Sequence, residues 1–273
     1  MRVRKYLTIV LLLFSVSPIL AQGFFSKNNQ EEEEPEEPRR GMVSILLPRK
    51  LIDIPTAVTL PRGSFDFDFR AYPRGGIFAA VDIGLTDWIL IGVAYGGENL
   101  LGEGGVNWNP RVEFISKIRV VKESYGLPAL VIGYDSQGSG AFNDSARRYT
   151  IKSKGFYAAL SKYYYWGKAL LGFHGGLNYS LETKDNDKNP DFYGGADLMF
   201  NDQIVAEATY DFAFNDDRGS SLYGKGRGYF DLALRWLYSE TLQLEFQLKN
   251  LLQNRKGATT ISREFRLIYV DSF

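Results

Sequence analysis

A single histidine, His174, limits the catalysis open to this 273-residue chain, which contains no cysteine. A histidine next to a serine can activate the hydroxyl for ester hydrolysis, and Ser180 follows it closely. The surrounding residues argue otherwise. Gly172, His174, Gly176, Asn178 and Ser180 fall on one face of an extended segment, and Leu171, Phe173, Leu177 and Tyr179 on the other. His174 is therefore expected to be hydrogen-bonded in a polar interior, and no residue is assigned as catalytic. Zinc requires several His or Cys ligands, so no metal or other cofactor is expected. Asp185, Asp187, Asn189 and Asp191 alternate as calcium ligands do, but Pro190 stands where such a loop needs glycine and no glutamate closes the set. The glycine clusters at 102–105 and 224–226 open no helix and read as loops rather than phosphate cradles.

The most informative set is charged. Asp66, Asp68 and Arg70 alternate with apolar residues, as do Arg111 and Glu113, Asp231 and Arg235, Glu245 and Lys249, and Glu264 and Arg266. Together with His174 they are expected to line a lumen. Asp231 and Arg235 would face Glu245 and Lys249, and these in turn Glu264 and Arg266. Opposite charges on adjacent strands can cross-pair, and an unpaired charge in a narrow interior is costly.

Period-two alternation is the mark of strands with one apolar and one polar face. It recurs over 64–72, 76–85, 88–96, 110–121, 127–136, 155–164, 168–181, 192–201, 203–214, 227–238, 241–252 and 259–271. That pattern predicts an all-β fold, a transmembrane antiparallel up-and-down β-barrel of about 12 strands over 64–273. Short joints at 86–87, 122–126, 166–167, 202 and 239–240 alternate with longer Gly- and Asn-rich ones, the asymmetry of outer-membrane barrels. Both termini are then periplasmic. A soluble β-sandwich shares the alternation but has no need of so many long strands. Phe273, Tyr269, Leu267 and Phe265 suit a closing strand read by barrel-assembly machinery, although Asp271 interrupts the series.

Residues 1–21 combine Arg2, Arg4 and Lys5 with an apolar run and Ile19-Leu20-Ala21, as a secretory signal peptide does. Residues 22–41 form an acidic linker expected to be disordered around Glu31–Glu37. Residues 42–63, broken by Pro48 and Pro55, are expected to lie on the periplasmic side or inserted in the lumen. Lys and Arg total 32, as do Asp and Glu. That balance offers no basic field for nucleic acid. Outer-membrane lipid and lipopolysaccharide are the expected surroundings, with the assembly machinery as a partner during insertion.

Two passages carry a family resemblance. Leu51-Ile52-Asp53-Ile54-Pro55-Thr56-Ala57 is followed by Leu60-Pro61-Arg62-Gly63. Pro128 to Asp135 is followed by Gly138-Ser139-Gly140-Ala141-Phe142 and, after a loop, Tyr157-Ala158-Ala159-Leu160-Ser161-Lys162. Together they resemble the YjbH-like outer-membrane barrels associated with exopolysaccharide. Members of that family are commonly longer and often lipoproteins, so the resemblance concerns the barrel portion. It implies a non-enzymatic role in exopolysaccharide or envelope assembly or export, with a polysaccharide as partner. A narrow passive pore for small solutes is the alternative drawn from the charged interior, and a lipid-modifying enzyme built on His174 is a third.

Overall fold

The computed structural model describes residues 46–218, 221–258 and 260–273. The expected signal peptide and acidic linker lie outside the described residues. Two short strands come first, β1 (Lys50–Leu51) and β2 (Ile54–Pro55). Then follow β3 (Ser64–Tyr72), β4 (Gly76–Thr86), β5 (Ile89–Glu98), the brief β6 (Asn107–Trp108), β7 (Glu113–Val121) and β8 (Ala129–Asp135). The pair β9 (Ser139–Asn143) and β10 (Arg148–Ile151) precedes β11 (Gly155–Trp166), β12 (Ala169–Tyr179), β13 (Asp191–Phe200) and β14 (Ile204–Asp211). The last three are β15 (Tyr229–Leu237), β16 (Leu242–Lys249) and β17 (Ser262–Ser272).

Twelve of these strands form one antiparallel sheet that closes on itself. Each pairs with its neighbours in sequence, and the ring is completed by β17 against β3, with Ser272 opposite Ser64. The amide of Phe273 then donates to the Gly63 carbonyl (2.8 Å). Closure leaves no unpaired edge, the condition for a sheet to sit in lipid.

Side chains alternate across the wall as the period requires. On β16, Phe246 is 48% exposed while its neighbour Gln247 is fully buried. On β11, Phe156 is exposed and Tyr157 buried. The outward residues are apolar and the buried ones largely polar, the reverse of a soluble barrel. Aromatic residues gather at both rims. Trp88, Tyr125, Tyr165, Trp166 and Tyr238 are exposed at the terminal end, where β17 finishes, and Tyr95, Trp108, Phe156 and Tyr179 near the other. Tyr95 stacks on Trp108 with ring centroids 5.6 Å apart.

The joints at the terminal end are short, and most of those at the far end are long. The turn between β3 and β4 at 73–75 is the exception at the far end. Several strands are shorter than the alternation pattern, with β14 ending at Asp211 rather than 214, β16 at Lys249 rather than 252, and β17 starting at Ser262 rather than 259. β7 begins at Glu113 rather than 110, and the long joint from 137 to 154 folds into the β9–β10 hairpin.

Candidate functional site

Residues 46–63 form a finger inside the barrel. β1 and β2 make a tiny antiparallel hairpin, Lys50 opposite Pro55, and Ile52 takes the left-handed conformation (φ 51°) at its tip. The incoming limb packs Leu46 and Leu47 near Leu170, Met199, Val205 and Leu237. The outgoing limb packs Leu60 among Leu90, Ile268 and Val270. Both groups lie toward the ends of strands that carry the short turns, so both limbs of the finger lie at the end of the barrel where β17 finishes. The tip reaches the opposite half, where Arg70 and Lys249 each stand 2.5 Å from the Asp53 carboxylate.

Charged side chains from all round the wall grip this finger. Lys117 on β7 donates to the carbonyls of Arg49, Thr56 and Val58 (3.0, 3.0 and 2.9 Å), which satisfies all three ammonium protons with neutral acceptors. Arg70 also donates to the Ile52 carbonyl, and Arg235 and Arg266 to that of Lys50. In return Arg49 pairs with Asp66, and Lys50 with Asp135 at 2.6 Å. An apolar patch completes the contact, with Leu51, Ile54 and Ala57 against Ala129, Val131, Tyr157, Ala159 and Tyr193. The approach is close enough that a Cβ on Gly195 would stand 2.9 Å from Ile54 and 3.2 Å from Leu51.

Wall charges also pair with one another. Arg235 lies 2.7 Å from Glu207 and 2.6 Å from Glu245, strands on either side of its own. Lys249 reaches Glu264 at 3.3 Å, and Arg266 pairs with Asp68.

His174 is buried within a hydrogen-bonded chain. Its Nδ1 lies 2.7 Å from Ser161 Oγ and its Nε2 2.6 Å from Asp197 Oδ1. The Ala57 amide donates to the same Ser161 oxygen (2.7 Å). One tautomer satisfies the whole chain: Ala57 N–H to Ser161, Ser161 O–H to Nδ1, and Nε2–H to Asp197. A Cβ on Gly172 would meet Asp197 Oδ1 at 2.3 Å and His174 Nε2 at 2.8 Å, so glycine makes room for the pair. The three side chains resemble a hydrolytic triad in kind. Yet Ser161 is buried, and its oxygen is covered by the finger, which leaves a carbonyl substrate no approach. The arrangement ties finger to wall.

The β9–β10 hairpin lies across the far mouth as a lid. It starts from β8 and crosses to β16, where Ser139 accepts from Lys249 (2.7 Å), while Tyr149 donates to Glu113 on β7 (3.0 Å). Arg148 is fully buried and bonds Asp216 (2.9 Å) and Asp185 (2.6 Å) in two other loops. Lys152 reaches Asp185 at 2.8 Å. Burial works against ionisation of Asp185, but the bonds from Lys152 and Arg148 outweigh it and hold its carboxyl below the usual range. Glu182 accepts from the amides of Tyr149 and Ser153 (3.2 and 3.4 Å), and burial pushes its carboxyl up to about 7 despite them.

No protein-family model matches the chain, and comparison with curated sequences gives no relative. Among solved structures it is similar to the KdgM porin, with 10% identity, a TM-score of 0.45, and coverage of 77% of this chain and 99% of that one. It is also similar to the COG4313 outer membrane channel from Pseudomonas putida F1 (12%, TM-score 0.37, 79% and 97%). The outer membrane phospholipase A from Escherichia coli gives 10%, a TM-score of 0.37, and coverage of 78% and 97%. What these have in common is the barrel.

Of the charged residues singled out in the sequence, Asp66, Asp68, Arg70, Glu113, Asp231, Arg235, Glu245, Lys249, Glu264 and Arg266 are buried, as is His174. Asp231 accepts from the Asn250 amide rather than from a base (2.6 Å). Arg111 departs from the set. It precedes β7, and its side chain is 51% exposed at the rim, 3.1 Å from Glu113. The alternating acids at 185–191 separate: Asp185 binds Arg148, and Asp191 accepts from the Phe214 amide. Among the described residues no group of acids and histidines could hold a metal. Sequence reasoning set His174 beside Ser180, whereas its partners are Ser161 and Asp197. It gave no role to Asp53 or to Lys117 as a grip on the finger.

Proposed function

We propose that this chain is a non-enzymatic outer-membrane barrel that serves exopolysaccharide or envelope assembly while its lumen is held shut by its own finger and lid. One observation carries the reading: the polar interior grips the finger, with Lys117, Arg70, Lys249 and Ser161 all bonded to it. An interior so occupied argues against a passive pore, and the covered Ser161 argues against hydrolysis. The YjbH-like passages support the exopolysaccharide part. Leu51 to Ala57 is the tip of the finger and Gly138 to Phe142 the first arm of the lid, so part of the resemblance falls on these two elements and the rest on the wall strands β8 and β11. In this reading the terminal end faces the periplasm and the lid faces outward.

A strain lacking the gene tests the role. Altered surface polysaccharide, restored by the intact chain, is expected. Unchanged polysaccharide under conditions that express the protein would remove the exopolysaccharide part and leave the closed barrel without it.

A further inference from the structure

Acids and bases are divided unevenly between the wall and what fills it. On the twelve wall strands buried carboxylates clearly outnumber buried Lys and Arg. Several of these acids take their base from the closures. Asp66 pairs with Arg49 and Asp135 with Lys50 of the finger, and Asp211 pairs with Lys154 at the root of the lid. Asp82 lies directly opposite Asp66 on the neighbouring strand, and its buried Oδ1 has no hydrogen-bond partner among the described residues. It fills the space above Gly92, where a Cβ would stand 1.8 Å away. The finger thus sits in the lumen as a cationic occupant, with Arg49 and Lys50 against an acidic wall.

Its path matters as much as its charge. Both limbs lie at the terminal end and only a hairpin tip reaches inward, so the finger can leave as a unit, without threading and without breaking the sheet. Its departure takes from the lumen the two bases that stand inside it, Arg49 and Lys50, and one acid, Asp53. The carboxylates left in a narrow, low-dielectric lumen attract mobile cations and repel anions.

We propose that the barrel is a latent passage for small inorganic cations, opened when the finger withdraws and the lid moves aside, with Asp66, Asp82 and Asp135 as the selecting residues. This goes beyond the assembly reading, and it stands or fails on conductance rather than on polysaccharide.

The test uses the full chain with substitutions confined to the closures. Leu51→Ser, Asp53→Asn and Ile54→Ser loosen the finger while keeping Arg49 and Lys50, and a short Gly-Ser turn replaces lid residues 140–149. Heat-modifiable gel mobility establishes that the variant is folded before it enters a planar bilayer under a KCl gradient. Stepwise current with a reversal potential favouring K⁺ is expected. Asp66→Asn with Asp82→Asn should lower the K⁺ over Cl⁻ preference several-fold. Because the chain has no cysteine of its own, adding Ala57→Cys and Ser161→Cys supplies one reducible lock. Once mass measurement shows the bond formed, current should stop, and it should return with reductant. A folded variant that passes no current, that favours Cl⁻, or that ignores the oxidised lock would overturn the proposal.

Discussion

Arg266 on β17 grips Asp68 on β3, Nε to Oδ1 at 2.9 Å and Nη2 to Oδ2 at 2.7 Å. The pair is diagonal rather than directly opposed, since the ladder sets Arg266 against Arg70 and Asp68 against Ile268. It crosses the seam where the two ends of the sheet meet. A two-pronged bond fixes direction as well as distance, so it favours one register over a slip that would turn every apolar residue inward.

Breaking the seam from one side should be costly. Arg266→Met leaves buried Asp68 without its paired base, while the nearby Glu245 (3.4 Å) keeps Arg235. A loss on the order of 3–5 kcal/mol is expected. Adding Asp68→Asn to the same chain should recover part of it. The urea midpoint of the folded, heat-modifiable species in vesicles measures both, and equal midpoints for wild type and Arg266→Met would count against the seam.

Lys117 should control how firmly the finger is held. Lys117→Met strips three carbonyls of their shared donor, and the finger then opens more often. Arg49 and Lys50 are trypsin sites shielded within the finger. Cleavage after them should accelerate at least about tenfold in Lys117→Met, an opening change of about 1.4 kcal/mol, while the barrel fragment stays intact. Unaltered cleavage would show that the finger is held by other contacts.

The lid should loosen as pH rises. Glu182 is pushed up to about 7, above the ordinary glutamate value, so between that value and about 7 the folded lid binds a proton that the open one has released. Its contribution is present at low pH and fades as pH climbs toward 7 and beyond. Amide exchange at Tyr149 and Ser153, corrected for intrinsic rates, should therefore become less protected from pH 5 to pH 8. Glu182→Gln should flatten the profile. Protection that rises over that range would reverse the assigned sign.

Most of the wall was legible in the sequence because alternation is a local property. Phe65 to Tyr72 and Leu242 to Lys249 declare both faces without reference to anything distant. The Ser161–His174 pair was also within reach. The turn at Gly167-Lys168, with Gly167 at φ 59°, sets Trp166 opposite Ala169, and counting back through that register places Ser161 opposite His174. Ser180 lies six residues further along the chain, just past the end of β12 and too far to bond, which is why looking within one segment chose the wrong serine. The finger and lid were harder to place. Their residues bury against several strands at once, so no single period describes them. Arg111 was set inside because its alternation with Glu113 was carried past the true start of β7.

This barrel turns apolar side chains outward and polar ones to its interior. Single cysteines at neighbouring positions of β16, Phe246→Cys and Gln247→Cys, test it directly in vesicles with brominated acyl chains. A thiol-reactive fluorophore introduced before folding at position 246 should be quenched strongly by the bromines. A cysteine at 247, left free through folding, should resist both quenching-probe attachment and a water-soluble thiol reagent. Aqueous labelling of 246 with lipid contact at 247, or equal behaviour at the two positions, would contradict it.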